Sequence, residues 1–176
     1  MLDPLVDDDA RGLIADLTAR GETVATAESL TAGLLAATLA GVPGASLVLR
    51  GGLVTYTVET KITLAGVPSA LLDDVGPVAA PTAVALAEGA RDRCEATWGI
   101  GLTGVAGPEP HGGHQVGTVF LGLAGPRPIR GRRTAPRRLA LGNPAGRCPP
   151  GRPPAADDAR TVLTFREPTG PSSALQ

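Results

Sequence analysis

Ser29 and Lys61 are the residues whose types best suit attack on a carbonyl. Ser29 sits in Ala27-Glu28-Ser29-Leu30-Thr31-Ala32-Gly33, where a strand-like pattern gives way to a helix-like one. A hydroxyl at such a junction can act as a nucleophile, with its oxyanion forming beside the unpaired amides of the helix start. The bland alternative is that Ser29 or Thr31 simply caps the helix. Tyr56-Thr57-Val58-Glu59-Thr60-Lys61 holds the only tyrosine and the only lysine of the chain. A desolvated lysine of lowered pKa can take a serine proton without a histidine. Every other basic residue besides the two histidines is arginine, which cannot act as a base, so retention of one lysine is a hint of use. The alternative is a solvated Lys61 paired with Glu59 or another acid.

A third stretch, Gly101-Leu102-Thr103-Gly104-Val105-Ala106-Gly107-Pro108, runs from a strand into a loop of small residues with one hydroxyl. Small residues let backbone amides approach a phosphate or carboxylate, although a plain tight loop has the same composition. The patterns GxSxG and SxxK are absent around Ser29, and the third stretch is neither a GK[ST] loop nor a GxGxxG fingerprint opening a helix. His111 and His114 lack a clustered Cys or carboxylate partner beyond Glu109 and read as an exposed loop. Cys94 and Cys148 read as unrelated thiols, Cys94 at a helix end, and no metal is expected.

These stretches need elements to position them. Residues 5–20 have helical spacing closed by Gly21, and Thr23 to Ala27 is a short β-branched strand. Residues 31–40 form an apolar helix, Val42-Pro43-Gly44 a turn, and Leu47 to Tyr56 a strand. Gly51-Gly52 inside that strand suggests a bend or a close backbone approach. A short helix spans 58–65, Ser69 caps another through Leu72, and 80–95 is an amphipathic helix. Thr97 to Leu102 and Val116 to Leu123 are continuously apolar, as strands covered on both faces are. Alternating helices and strands give an α/β layered domain.

Composition bounds the rest. The 176 residues suit one domain or one domain and a tail. No run approaches the roughly 20 apolar residues of a membrane helix, and the start lacks a basic region followed by an apolar core. A cytoplasmic protein without membrane contact is therefore expected. Residues 1–125 carry 14 acidic and 6 basic side chains, whereas 126–176 carry 3 and 10. Ten of the 17 prolines also lie after residue 125. Such a segment cannot bury enough surface to offset its ordering entropy, apart from the apolar Thr161 to Phe165. Arg127 to Arg138 could touch phosphates, yet it lacks interleaved aromatics and the body is acidic, so nucleic acid is not expected as a partner.

The chemistry-bearing stretches together resemble the CinA C-terminal domain family, the nicotinamide-nucleotide amidohydrolases. The matching blocks are Thr26 to Gly33, Val42-Pro43-Gly44-Ala45-Ser46, Arg50-Gly51-Gly52-Leu53-Val54-Thr55-Tyr56 with Lys61, Thr103 to Pro108, and Val116-Gly117-Thr118-Val119. The resemblance covers about residues 10–125. It implies a three-layer α/β/α sandwich with a central mixed sheet, in stand-alone form. It implies hydrolysis of the carboxamide of nicotinamide mononucleotide to nicotinic acid mononucleotide and ammonia, with no metal or cofactor. By the same resemblance Ser29 is the nucleophile, Lys61 its general base and Tyr56 an assisting residue. Glu28, Thr31 and Gly33 would shape the first loop against the substrate, and Thr103, Gly104, Ala106 and Gly107 would line its pocket. Self-association as a dimer or higher homo-oligomer is also implied.

The chain departs from the family in several places. Leu30 and Ala32 stand where the family often has Cys and Gly, Val58 where it usually has Asn, and His114-Gln115 where it often has Lys-Pro. From Pro144 onward the resemblance is lost, although the family continues into a helix covering the sheet. The expectation is a family domain over 1–143 and an atypical tail over 144–176, disordered or read in a shifted frame. Two other functions stay open: a catalytically silent nucleotide-binding or regulatory module of the same fold, and a nucleic-acid binder acting through its tail.

Overall fold

The computed structural model describes residues 8–126 and the backbone of 160–165. Helix α1 (Asp8–Arg20) begins with two acidic residues and ends with Arg20, matching the helix dipole. It buries Ala10, Ile14 and Leu17, one stripe of the helix. Gly21, at φ 62°, turns the chain out of it. Strand β1 (Val24–Glu28) follows and is buried along its whole length. Then come α2 (Leu34–Ala40), a 3-10 turn (Ala45–Leu47), β2 (Leu49–Val54), α3 (Val58–Thr63), α4 (Ser69–Val75), α5 (Ala80–Arg93), β3 (Trp98–Gly104), β4 (Val119–Ala124) and β5 (Arg160–Phe165).

The sheet order is β2-β1-β3-β4-β5. Strands β2 and β3 flank β1 in parallel, whereas β4 runs antiparallel to β3 and β5 antiparallel to β4. Side chains alternate across β1, so its two faces feed two cores. Val24 joins Ile14, Leu17, Leu39 and Val48 on the α1/α2 side. Ala25 and Ala27 join Leu86, Ala90, Val67 and Leu72 on the α5 side. The result is a three-layer α/β/α sandwich around a mixed sheet.

Helix α5 lies directly on β3 and β4 because glycines face it. A Cβ on Gly101 would strike the Ala83 carbonyl oxygen and the Leu86 Cβ, and one on Gly122 the Ala83 carbonyl group. Gly52 likewise allows close approach, since a Cβ there would lie 2.8 Å from the Ala36 Cβ and 2.9 Å from the Thr26 hydroxyl. This is the close approach that Gly51-Gly52 implied.

Some expected boundaries move. The helix expected at 31–40 starts three residues later, at Leu34, after a turn through Ala32 (φ 49°) and Gly33 (φ 99°). A left-handed pair cannot be helical, and neither Ser29 nor Thr31 caps α2, whose N-cap is Gly33 without a side-chain hydrogen bond. Pro68, not Ser69, is the N-cap of α4. Strand β2 is shorter than Leu47 to Tyr56 because the 3-10 turn takes up its start. Strand β4 begins at Val119, since Gly117 turns the chain at φ 85°. Within the expected tail, Arg160–Phe165 forms an edge strand on β4. The rest of 144–176, with Cys148, lies outside the described residues, as do Arg127 to Arg138 and residues 5–7. Among the described residues no helix is long and apolar enough to cross a membrane.

Candidate active site

The carboxyl ends of β1, β2 and β3 lie side by side, the position where α/β sheets bind ligands. The chain leaving β1 carries Ser29. Its amide donates to the Leu102 carbonyl at 2.9 Å, which fixes its backbone to the end of β3. Ser29 is 8% exposed and faces a cavity.

The chain leaving β2 carries the partner. The Thr55 amide donates to the Glu28 carbonyl at 2.7 Å, tying this segment to the residue before Ser29. Helix α3 then starts at a capping box in which Thr57 and Thr60 satisfy each other's amides. One turn later Lys61 returns toward β1. Its Nζ donates to the Ser29 hydroxyl at 2.9 Å and to the Thr55 carbonyl at 2.8 Å. Residues 32 apart in sequence thus meet through a closed ring of contacts. Lys61 is 2% exposed, and among the described residues it has no ion-pair partner. The solvated pairing with Glu59 is therefore excluded. Burial pushes the amine below its ordinary value of 10.5. The Thr55 carbonyl can only accept, so it holds an N–H. Once the amine is neutral, its lone pair is left free to face the Ser29 hydroxyl proton.

Both side chains line a cavity of about 600 Å³, within the span of about 300–1,000 Å³ usual for small-molecule sites. Tyr56 stands at its rim, 65% exposed. The rest of the lining includes Pro77, Val78 and Thr103 to His111. Thr103, Gly104, Ala106 and Gly107 all line the cavity. The Thr103 hydroxyl, however, donates to the Pro77 carbonyl at 2.7 Å, so its proton holds a wall in place. Among the described residues the backbone N–H groups of Leu30, Ala106 and Gly107 have no protein acceptor, and all three residues line the cavity. His111 lines it too, and pairs through its backbone with His114.

Glu28, Thr31 and Gly33 do not line the cavity. Glu28 is 1% exposed and turned toward α2. Its carboxylate accepts from the Thr26 hydroxyl (3.0 Å) and from the amides of Gly33 (3.1 Å), Leu35 (3.0 Å) and Ala36 (2.8 Å). The amides expected to meet a substrate anion are thus taken by a carboxylate of the chain itself. The Thr31 hydroxyl is buried without a hydrogen-bond partner. Two contributors escaped the sequence: the Thr55 carbonyl, which any residue type could supply, and the Pro77-Val78 wall, which carries no reactive group.

Comparison with known proteins bears on the family and the fold. A family model described as CinA C-terminal domain matches residues 7–138. A competence-damage inducible protein of Streptococcus thermophilus is 52% identical over 102 residues, covering 58% of this chain and 24% of that protein. One from Geobacillus kaustophilus is 48% identical over 125 residues, covering 71% and 29%. The chain spans about a quarter of the length of the curated relatives it matches. Among solved structures, the competence/damage inducible protein CihA of Agrobacterium tumefaciens superposes with a TM-score of 0.66 at 36% identity, covering 71% of this chain and 76% of that one. A competence-damaged protein (CinA) superfamily structure from Escherichia coli gives 0.64 at 30% identity, covering 70% and 75%.

Proposed function

The chain belongs to the CinA C-terminal domain family, and from that premise we propose that it is an amidase that hydrolyses the carboxamide of nicotinamide mononucleotide to nicotinic acid mononucleotide and ammonia. The observation that carries the reading is the 2.9 Å contact between Lys61 Nζ and Ser29 Oγ inside a buried, cavity-lining site. Burial lowers the Lys61 pKa, so a larger share of the amine is neutral near pH 7 than in a free lysine. That neutral amine takes the Ser29 proton as Oγ attacks the carboxamide carbon.

The oxyanion that forms needs N–H donors. Leu30, the residue after the nucleophile, offers an amide with no protein acceptor beside it. The Lys61 ammonium then gives its proton to the leaving nitrogen, and ammonia departs from the acyl-enzyme. Water, deprotonated by the same amine, attacks the ester carbon and releases the acid and the Ser29 hydroxyl. Each proton taken by Lys61 is returned, so the dyad ends as it began. The free amides of Ala106 and Gly107 in the cavity lining suit the phosphate end of the substrate. Tyr56 at the rim suits contact with the pyridine or ribose rather than with Ser29.

The test is incubation of the purified chain with nicotinamide mononucleotide, with both products identified. Nicotinic acid mononucleotide and ammonia in equal amounts support the reading. Tight binding of the unchanged nucleotide by a folded chain, without product, replaces it by the silent-module reading. We also propose self-association, to be read from the molar mass in solution; a monomer at micromolar concentration removes that part.

A further inference from the structure

Glu28 directly precedes the proposed nucleophile, yet it points away from the cavity and into the start of α2. Helix starts leave amides without intrahelical acceptors, and these attract anions. Here one carboxylate oxygen accepts from the Thr26 hydroxyl and the Ala36 amide, and the other from the amides of Gly33 and Leu35. These donors bracket the turn from Ser29 to Gly33, whose backbone includes the left-handed pair Ala32 and Gly33. Resting on the amidase reading, we infer that Glu28 is a positioning residue: an internal anion that holds the Ser29 turn in its attacking conformation before any substrate binds. The same occupancy keeps the substrate phosphate off α2 and leaves it to the free amides of Ala106 and Gly107.

The role depends on two acceptor oxygens. A glutamine in the same place has one. Whichever way its amide flips, an NH2 group faces backbone N–H or hydroxyl donors. The turn would then shift, and a displacement of about 1 Å at a reacting atom can cost about 100-fold in rate. Glu28 lines no part of the cavity, so substrate affinity should stay unchanged.

The experiment follows the rate at which an alkyl fluorophosphonate labels Ser29 in the whole chain, read by intact mass, beside kcat, KM and Tm. In labelling, an Oγ–P bond forms, fluoride leaves and the proton passes to Lys61. Glu28→Gln should label about 100-fold more slowly, with kcat reduced in step and KM unchanged. Thr26→Val, which keeps the side-chain shape and removes one of the four donors, should slow labelling about 3- to 10-fold. A folded Glu28→Gln protein that labels at the wild-type rate overturns the proposal. So does a lowered Tm with undiminished labelling, which is what a merely structural role predicts. Where Glu28→Gln fails to fold, Thr26→Val decides: slowed labelling supports the proposal and wild-type labelling overturns it. A wild-type chain that neither labels at Ser29 nor releases ammonia overturns the amidase reading and this proposal with it, a result distinct from the failure of Glu28 alone.

Discussion

The two walls of the cavity differ in how they are held. On the Ser29 side, Thr26, Glu28, Ser29, Thr55 and Lys61 are all buried and joined by hydrogen bonds to one another or to strand backbone. On the far side, residues 106–113 are exposed, glycine and proline are frequent, and the amides of Ala106 and Gly107 lack protein acceptors. Under the proposed amidase reading, the difference suits two tasks. Proton transfer tolerates little misplacement, so the groups that would perform it are anchored at strand ends. Recognition of a flexible phosphorylated ligand can use free amides on a loop.

The comparison can be broken most severely on the anchored side. Lys61→Arg keeps a positive charge but cannot supply a neutral base, and it should lower kcat by at least about 10³-fold. A few-fold loss in steady-state kinetics would mean that Lys61 serves binding rather than proton transfer. The same wall predicts a pH profile. The base is active when neutral and burial lowers its pKa, so kcat/KM should rise with pH to a plateau whose midpoint lies below 10.5. A midpoint at or above that value would contradict the role of burial.

Changes on the far wall should act on KM instead. Gly107 sits at φ 96°, and a Cβ there would lie 2.8 Å from Val116 Cγ1. Gly107→Ala should therefore raise KM about tenfold and leave kcat within about threefold. Equal losses in kcat and kcat/KM would instead tie this loop to the chemical step. The smallest effect is expected at Ala32, an exposed residue held at φ 49° where glycine is better suited. Ala32→Gly should raise stability by up to about 1 kcal/mol, seen as a higher Tm. A lowered Tm would mean that the entropy of glycine outweighs the relieved strain.

How much of this was legible in the sequence follows from what each residue type can reveal. Lys61 stood out as the single lysine, whereas Ser29, at a junction where capping hydroxyls are common, stood out through the family resemblance of the block around it. The layered fold was legible from helices and strands that alternate with clear spacing. The role of Glu28 was not, since a carboxylate beside a serine reads the same whether it faces the cavity or the helix. The late start of α2 was hidden because Ala32 favours helix by type and is left-handed by context. Thr55 acts through a carbonyl, which leaves no mark on residue identity. Strand β5 was masked by the prolines around it, although Thr161 to Phe165 was the one apolar run in that segment.

The central claim is that Ser29 and Lys61 form one catalytic unit. The direct measurement is ammonia release from nicotinamide mononucleotide by the wild-type chain, Ser29→Ala, Lys61→Ala and the double variant, each shown to be folded by circular dichroism. The account predicts steady release by the wild type and a loss of at least about 10³-fold in each single variant. The double variant should be no worse than either single, because two groups acting in one step fail together. Release that survives in Ser29→Ala, or losses that multiply in the double variant, would contradict it.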